Sequence, residues 1–115
     1  MEKKRTMKAM VLEAFNTPLV LKELPVPTPA ANEVLIRLMA DGECYTDAKI
    51  QKGLMPTAKL PLVMGHEIAG IVEEVGSEVK ELKIGDKVAA FTYDVCGECH
   101  YCRRGIPALC ENVRG

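Results

Sequence analysis

Cys96-Gly97-Glu98-Cys99-His100-Tyr101-Cys102-Arg103-Arg104-Gly105-Ile106-Pro107-Ala108-Leu109-Cys110 holds four of the chain's five cysteines, spaced C-x2-C-x2-C-x7-C. One divalent metal at tetrahedral geometry takes four thiolates. A tight turn brings the sulfurs of a C-x2-C pair to the same side, and Gly97 gives the first turn the backbone freedom it needs. Gly105 and Pro107 punctuate the longer arc before Cys110 closes it. Four protein thiolates leave no open coordination position, so such a centre is structural. Arg103 and Arg104 stand where they can offset part of the negative charge of a tetrathiolate.

Three other readings compete. Disulfides fit poorly, because five is an odd number of cysteines and the short spacings strain a bridge within each pair. A ferredoxin-type iron–sulfur motif also opens C-x2-C-x2-C, but its fourth cysteine comes after three residues and precedes proline. Here the gap is seven and Glu111 follows. Cys96 to His100 matches the haem c pattern C-x-x-C-H, which leaves Cys102 and Cys110 unexplained. Structural zinc is the reading retained, with iron–sulfur its nearest rival. His100 is then a surface residue of the lobe.

Outside this stretch the composition is that of an ordinary globular chain. Its 115 residues are 48% hydrophobic and 27% charged, enough for one domain with a single core. A net charge of −1 and 4% aromatic residues argue against a nucleic-acid partner or an anionic membrane surface. The apolar run after the charged residues 1–6 is cut at Glu13, too early for a signal peptide, and no run approaches transmembrane length. Met7 is an alternative start. Clustered reduced thiols point to a cytoplasmic setting.

The chain reads as short strands divided by turns. Residues 8–15 and 19–24 pair across the Asn16-Thr17-Pro18 turn. Pro25, Pro27 and Pro29 run through an extended edge segment. Val34, Ile36, Leu38 and Ala40 recur with period two along one strand face. A short helix follows over 46–52, with Asp47 in its first turn and Gly53 as its stop. Residues 54–64 read as loop, because Pro56 and Pro61 exclude helix. Strands follow at 68–75 and 87–91, and the cysteine lobe spans about 92–115. Little helix and many Gly and Pro turns suggest a barrel or sandwich.

Cys44 and His66 form a second constellation. Alone, a cysteine is more often a small buried hydrophobe, and a histidine before an apolar strand is more often a hydrogen-bonded core residue. Their surroundings raise the odds. Cys44 stands just before a helix start, where the dipole favours a thiolate, with the Thr46 hydroxyl and the Asp47 carboxylate close behind. His66 is flanked by Gly65 and by Glu67, a further oxygen ligand. Catalytic zinc uses three protein ligands and keeps a fourth position open, and Cys, His and carboxylate suit it.

Gly42-Glu43-Cys44-Tyr45-Thr46-Asp47, then Gly65-His66-Glu67 with Gly70 and Gly76, then Gly85-Asp86-Lys87-Val88, then the four-cysteine lobe, resemble in this order the zinc-containing alcohol dehydrogenases of the medium-chain dehydrogenase/reductase superfamily. The resemblance runs from Met7 to the end of the sequence. It implies a mainly β, GroES-like, partly open β-barrel with a short helix and a zinc-binding lobe, the N-terminal part of a catalytic domain. It also implies roles for individual residues. Cys44 and His66 match ligands of the catalytic zinc. Glu67 matches a carboxylate close to that metal, which in the polyol-dehydrogenase branch is itself a ligand. Thr46 matches the hydroxyl that bonds the substrate alcohol, and Asp47 the carboxylate that orients the ligand histidine. Cys96, Cys99, Cys102 and Cys110 match the structural zinc ligands.

The chain departs from the pattern at Lys49, where many members carry a relay histidine, and at Tyr45, where some carry a basic residue against the coenzyme. No G-x-G-x-x-G occurs in it. The resemblance therefore implies a single GroES-like domain over 1–115 without the nucleotide-binding domain. Its expected function is that of the zinc-binding part of an NAD(P)-dependent alcohol or polyol dehydrogenase, in which zinc polarises the alcohol oxygen. A stand-alone zinc-stabilised β module without catalysis is the alternative. The implied partner is a small-molecule alcohol or polyol. The choice of NAD or NADP, the third catalytic-zinc ligand and a homo-oligomeric state stay open at this point.

Overall fold

Turn residues divide this chain into short strands. The computed structural model describes residues 5–113; residues 1–4 of the charged extension and residues 114–115 at the end of the expected lobe lie outside the described residues. The elements run β1 (Thr6–Leu12), β2 (Val20–Pro25), β3 (Val34–Asp41), α1 (Tyr45–Gln51), β4 (Leu62–Val63), β5 (Ile68–Val75), β6 (Lys87–Ala89), α2 (His100–Arg103) and a 3-10 turn at Pro107–Leu109. Two three-stranded antiparallel sheets result, ordered β2-β1-β4 and β3-β5-β6. The architecture is mainly β and partly open, as the resemblance implied, and neither sheet closes into a barrel. Among the described residues, no helix is long and apolar enough to cross a membrane.

β1 and β2 form a hairpin whose register runs from Thr6↔Pro25 to Val11↔Val20. Pro25 closes β2 at the sheet edge, where its missing N–H breaks no ladder. β1 ends at Leu12, short of the expected Phe15, because the chain peels away into the turn around Asn16. β4 corrects the reading of 54–64 as loop. Its two residues are too few to show a period, but Leu62 and Val63 pair with Leu12 and Val11. The Leu60–Pro61 peptide just before it is cis.

β3 and β5, eight residues each, pair at seven positions, with register shifts at Leu35/Ile36 and Leu38/Ala40. The alternation that the sequence suggested is not matched by burial. Val34 and Ile36 are half-buried, whereas Leu38 and Ala40 reach solvent. Burial ends at Ile36: Arg37, Leu38, Met39, Ala40 and Asp41 are all exposed, so this half of β3 has no buried face for a period of two to mark. The buried apolar core is thin: Val11, Leu12, Val72 and Cys99. The accessible surface is 9028 Å², against roughly 6,200 Å² for a compact folded protein of this mass. Large apolar side chains such as Met39, Leu54 and Ile84 stand in the open.

Candidate metal centres

The pairing of β3 with β5 builds the first centre. Asp41 at the end of β3 lies opposite Ile68 at the start of β5. The segments just beyond, carrying Cys44 on one side and His66 and Glu67 on the other, are thereby brought together. The Gly42 N–H donates to the Glu67 carbonyl at 3.0 Å. A Cβ at Gly42 would run into the Glu67 side chain, so glycine there leaves room for the carboxylate. Cys44, His66 and Glu67 each offer a ligand atom within 4.8 Å of the others.

α1 supplies the rest. Cys44 is its N-cap, with extended backbone, and Asp47 is its third residue. Asp47 Oδ2 accepts the Cys44 N–H at 3.2 Å. Its Oδ1 lies 3.4 Å from His66 Nδ1, and this oxygen is buried without a hydrogen-bond partner. One carboxylate thus lies between the helix capped by Cys44 and the segment before β5 that carries His66. With Nδ1 turned to Asp47, His66 keeps Nε2 for another partner.

The Cys44 thiol is held below its usual range, first by hydrogen bonds from the Thr46 side chain and backbone and then by His66. His66 is raised, chiefly by its hydrogen bond to Cys44, with the charges of Asp47, Cys44 and Glu67 adding to the effect against burial. Cys44 and His66 are each other's hydrogen-bond partner here, and a cation between them would take over that role. A cavity of about 510 Å³ opens beside the site, lined by Asp41, Glu43, Cys44, Asp47, Gln51 and Met64 among others. Thr46 is half-buried in the first turn of α1. Lys49 points elsewhere: its ammonium sits over the exposed Tyr45 ring, 5.5 Å from the centroid.

In the second centre Cys96, Cys99, Cys102 and Cys110 bring their sulfurs within 4.8 Å of one another, and Cys99 is buried. All five cysteines are free thiols. Backbone N–H groups point at sulfur: Cys96 at Cys110 Sγ and Cys99 at Cys96 Sγ, both 3.4 Å. α2 and the 3-10 turn, neither distinguished in the sequence, fold the x7 arc back so that Cys110 reaches the other three.

The electrostatics are uneven. Hydrogen bonds from the backbone of Glu98 and Cys99 lower Cys96 to about 6. Backbone hydrogen bonding at Cys102 and Glu111 lowers Cys99. Burial, with the neighbouring cysteines adding, pushes Cys102 up to about 12. Four adjacent sulfurs cannot all ionise without a positive charge among them, and a divalent ion with four sulfur ligands meets that need. Sequence reasoning missed Asn112, whose N–H donates to Cys110 Sγ at 3.4 Å and whose side-chain amide reaches Cys96 Sγ at 3.7 Å. Its position two residues after the last cysteine was the available signal. Arg104 lies against His100 Nε2 at 3.2 Å, not on a sulfur.

Residues 30–115 match the family model of the alcohol dehydrogenase GroES-like domain. An alcohol dehydrogenase of Geobacillus stearothermophilus is 47% identical over 107 residues, covering 91% of this chain and 32% of that protein. The crystal structure of an alcohol dehydrogenase zinc-binding domain protein from Burkholderia ambifaria superposes with a TM-score of 0.85 at 38% identity, over 95% of this chain and 29% of that one. A cobalt- and zinc-bound thermostable alcohol dehydrogenase from Pyrobaculum aerophilum superposes with a TM-score of 0.86 at 31% identity, over 96% of this chain and 35% of that one. The chain spans about a third of the length of the relatives it matches.

Proposed function

This chain belongs to the alcohol dehydrogenase GroES-like domain family, and on that footing we propose that it is the zinc-binding part of an NAD(P)-dependent alcohol or polyol dehydrogenase acting in the cytoplasm. The observation that carries the reading is the convergence of Cys44, His66 and Glu67 within 4.8 Å, on the same chain as a separate four-thiol cluster. One sulfur, one imidazole and one carboxylate fit a zinc that keeps a position open, and four sulfurs fit a closed structural zinc. The cobalt and zinc of the Pyrobaculum relative support the choice of metal.

When bound at the first centre, zinc supplies Lewis acidity toward an alcohol oxygen. The chain's own residues do the rest of the local work. Cys44, His66 and Glu67 hold the ion. Asp47 fixes the His66 ring through Nδ1 and the Cys44 backbone through its N–H, so ligand atoms from two elements stay in register. The Thr46 hydroxyl, engaged with the Cys44 sulfur in the structure, is free to turn and accept the proton of a substrate alcohol. Lys49 at 5.5 Å over Tyr45 is not placed to receive that proton, so the onward path runs through another group. The second centre orders the 92–113 segment and takes no part in chemistry.

Nothing in these 115 residues has the glycine fingerprint of a dinucleotide site, so nicotinamide is met by a nucleotide-binding domain beside this one. The test is NAD(P)-dependent oxidation of primary alcohols and polyols by the protein that joins this domain to such a domain, with Cys44→Ser beside it. The expected result is turnover that Cys44→Ser abolishes and that a polypeptide of residues 1–115 alone does not show. Equal turnover in Cys44→Ser would overturn the reading.

A further inference from the structure

α1 carries Cys44, Thr46 and Asp47 at its N-terminal end, yet none of its residues is buried. Its apolar residues Ala48 and Ile50 are only half-buried, so packing alone does not fix this seven-residue helix. It is held at its other end by the β1–β2 turn. Gly53, at φ 71°, and Leu54 close the helix in a Schellman arrangement: the Gly53 N–H donates to the Ile50 carbonyl and the Leu54 N–H to the Lys49 carbonyl, both at 2.9 Å. That pattern leaves the Gln51 carbonyl needing a donor. Asn16, held at φ 60° in the turn, provides it, its N–H reaching the Gln51 carbonyl at 2.7 Å. The Gln51 side chain returns the contact, with Nε2 donating to the Thr17 carbonyl at 2.9 Å. The Phe15 ring lies against Gly53, where an added Cβ would sit 3.1 Å from a ring carbon.

We infer that Gln51 is a positioning residue for the Cys44–His66–Glu67 centre, clamping α1 to the Asn16–Thr17 turn so that Cys44 and Asp47 face His66. The inference rests on the reading of that centre as a metal site. A helix of this length is about 10 Å long and behaves as a short rod. Tilting its C-terminal end displaces Cys44 and Asp47 together, while His66 and Glu67 stay with β5. Gln51 is half-buried and lines the same cavity as Cys44 and Asp47, but offers no ligand to the cluster. The clamp thus acts through Cys44 and Asp47, as outer partners of metal ligands do.

The test is titration of the metal-free protein with Co²⁺, read by its sulfur-to-metal charge-transfer bands, in wild type, Gln51→Met and Gln51→Lys. Cys44→Ser and Cys99→Ser assign the bands to each centre. Gln51→Met keeps size and removes the donor; Gln51→Lys restores an N–H of similar reach. The expected result is a drop of roughly 10–100-fold in Co²⁺ affinity at the Cys44 centre in Gln51→Met, no change at the Cys96–Cys110 centre, and recovery in Gln51→Lys. Unchanged affinity at both centres in Gln51→Met overturns the inference, and so does an equal loss at both, which marks general loosening of the fold. A wild-type band set that Cys44→Ser leaves untouched overturns instead the metal-site reading beneath it.

Discussion

Asp47 Oδ1 lies 3.4 Å from His66 Nδ1, and the same carboxylate accepts the Cys44 N–H through Oδ2. A single side chain three residues into a helix therefore faces both the ring of a histidine just before β5 and the backbone of the neighbouring cysteine. Asp47→Asn keeps the shape and removes the charge. We expect it to weaken metal binding at the Cys44 centre by roughly 10–100-fold, the range found for outer partners of ligating histidines. The Cys96–Cys110 centre should be unaffected. Competition with a chromophoric chelator measures both affinities, and an unchanged first affinity would count against the orienting role.

Glu67 decides how the first centre is filled. It is exposed and shares the cluster with Cys44 and His66. If it ligates directly, zinc stoichiometry after gentle chelation falls by one in Glu67→Ala. Loss of that zinc in Cys44→Ser but full retention in Glu67→Ala would show that the third ligand lies elsewhere.

The cysteine lobe should depend on its metal for local order. Four thiols lie in fifteen residues, and Cys99 is the one buried residue among them. Cys99→Ser should release the lobe's zinc and open residues 96–110 to limited proteolysis, because order in such segments comes from metal binding. Retention of zinc and of protease resistance in this variant would refute the four-thiol site.

Metal uptake by that lobe should release protons. The Cys102 thiol, pushed up to about 12, is protonated at pH 7 before metal arrives and is a thiolate afterwards. At least one proton per zinc leaves, so apparent affinity falls as pH falls. Below the Cys96 value of about 6 the release grows, because that thiol too must ionise. Calorimetry in buffers of different ionisation enthalpy counts the protons, and a count of zero at pH 7 would contradict the assignment.

Stability should rest on few positions. Leu12 is fully buried, and Val72 is 1% exposed on the other sheet. Leu12→Ala should cost about 2–5 kcal/mol by lost burial and the cavity left behind. Leu38→Ala, at a position 56% exposed despite its period-two spacing, should cost far less. Urea denaturation of the two variants gives the comparison.

That contrast shows where the sequence was and was not informative. The hairpin around Asn16, the helix ending at Gly53 and the strand from Ile68 were legible because turn residues and period mark them locally. The Cys96–Cys110 cluster was legible from spacing, since its ligands sit close together in the chain. The solvent exposure of Leu38 and Ala40 was not, because a period of two marks a strand face and does not say whether other elements cover it. β4 was hidden because two residues cannot show alternation. Cys44 and His66 are 22 positions apart; their convergence follows from the β3–β5 register, and residue types alone could only suggest it. The Gln51 clamp is less legible still, since an exposed-looking helix residue meets a turn 34 positions away.

The central claim is that one small domain carries two separate zinc centres with different ligand sets. Native mass spectrometry of the zinc-saturated protein tests it most directly, applied to wild type, Cys44→Ser, Cys99→Ser and the double variant. Two zinc ions are expected in wild type, one in each single variant and none in the double. Wild type with one zinc, retained in Cys44→Ser and lost in Cys99→Ser, would contradict it.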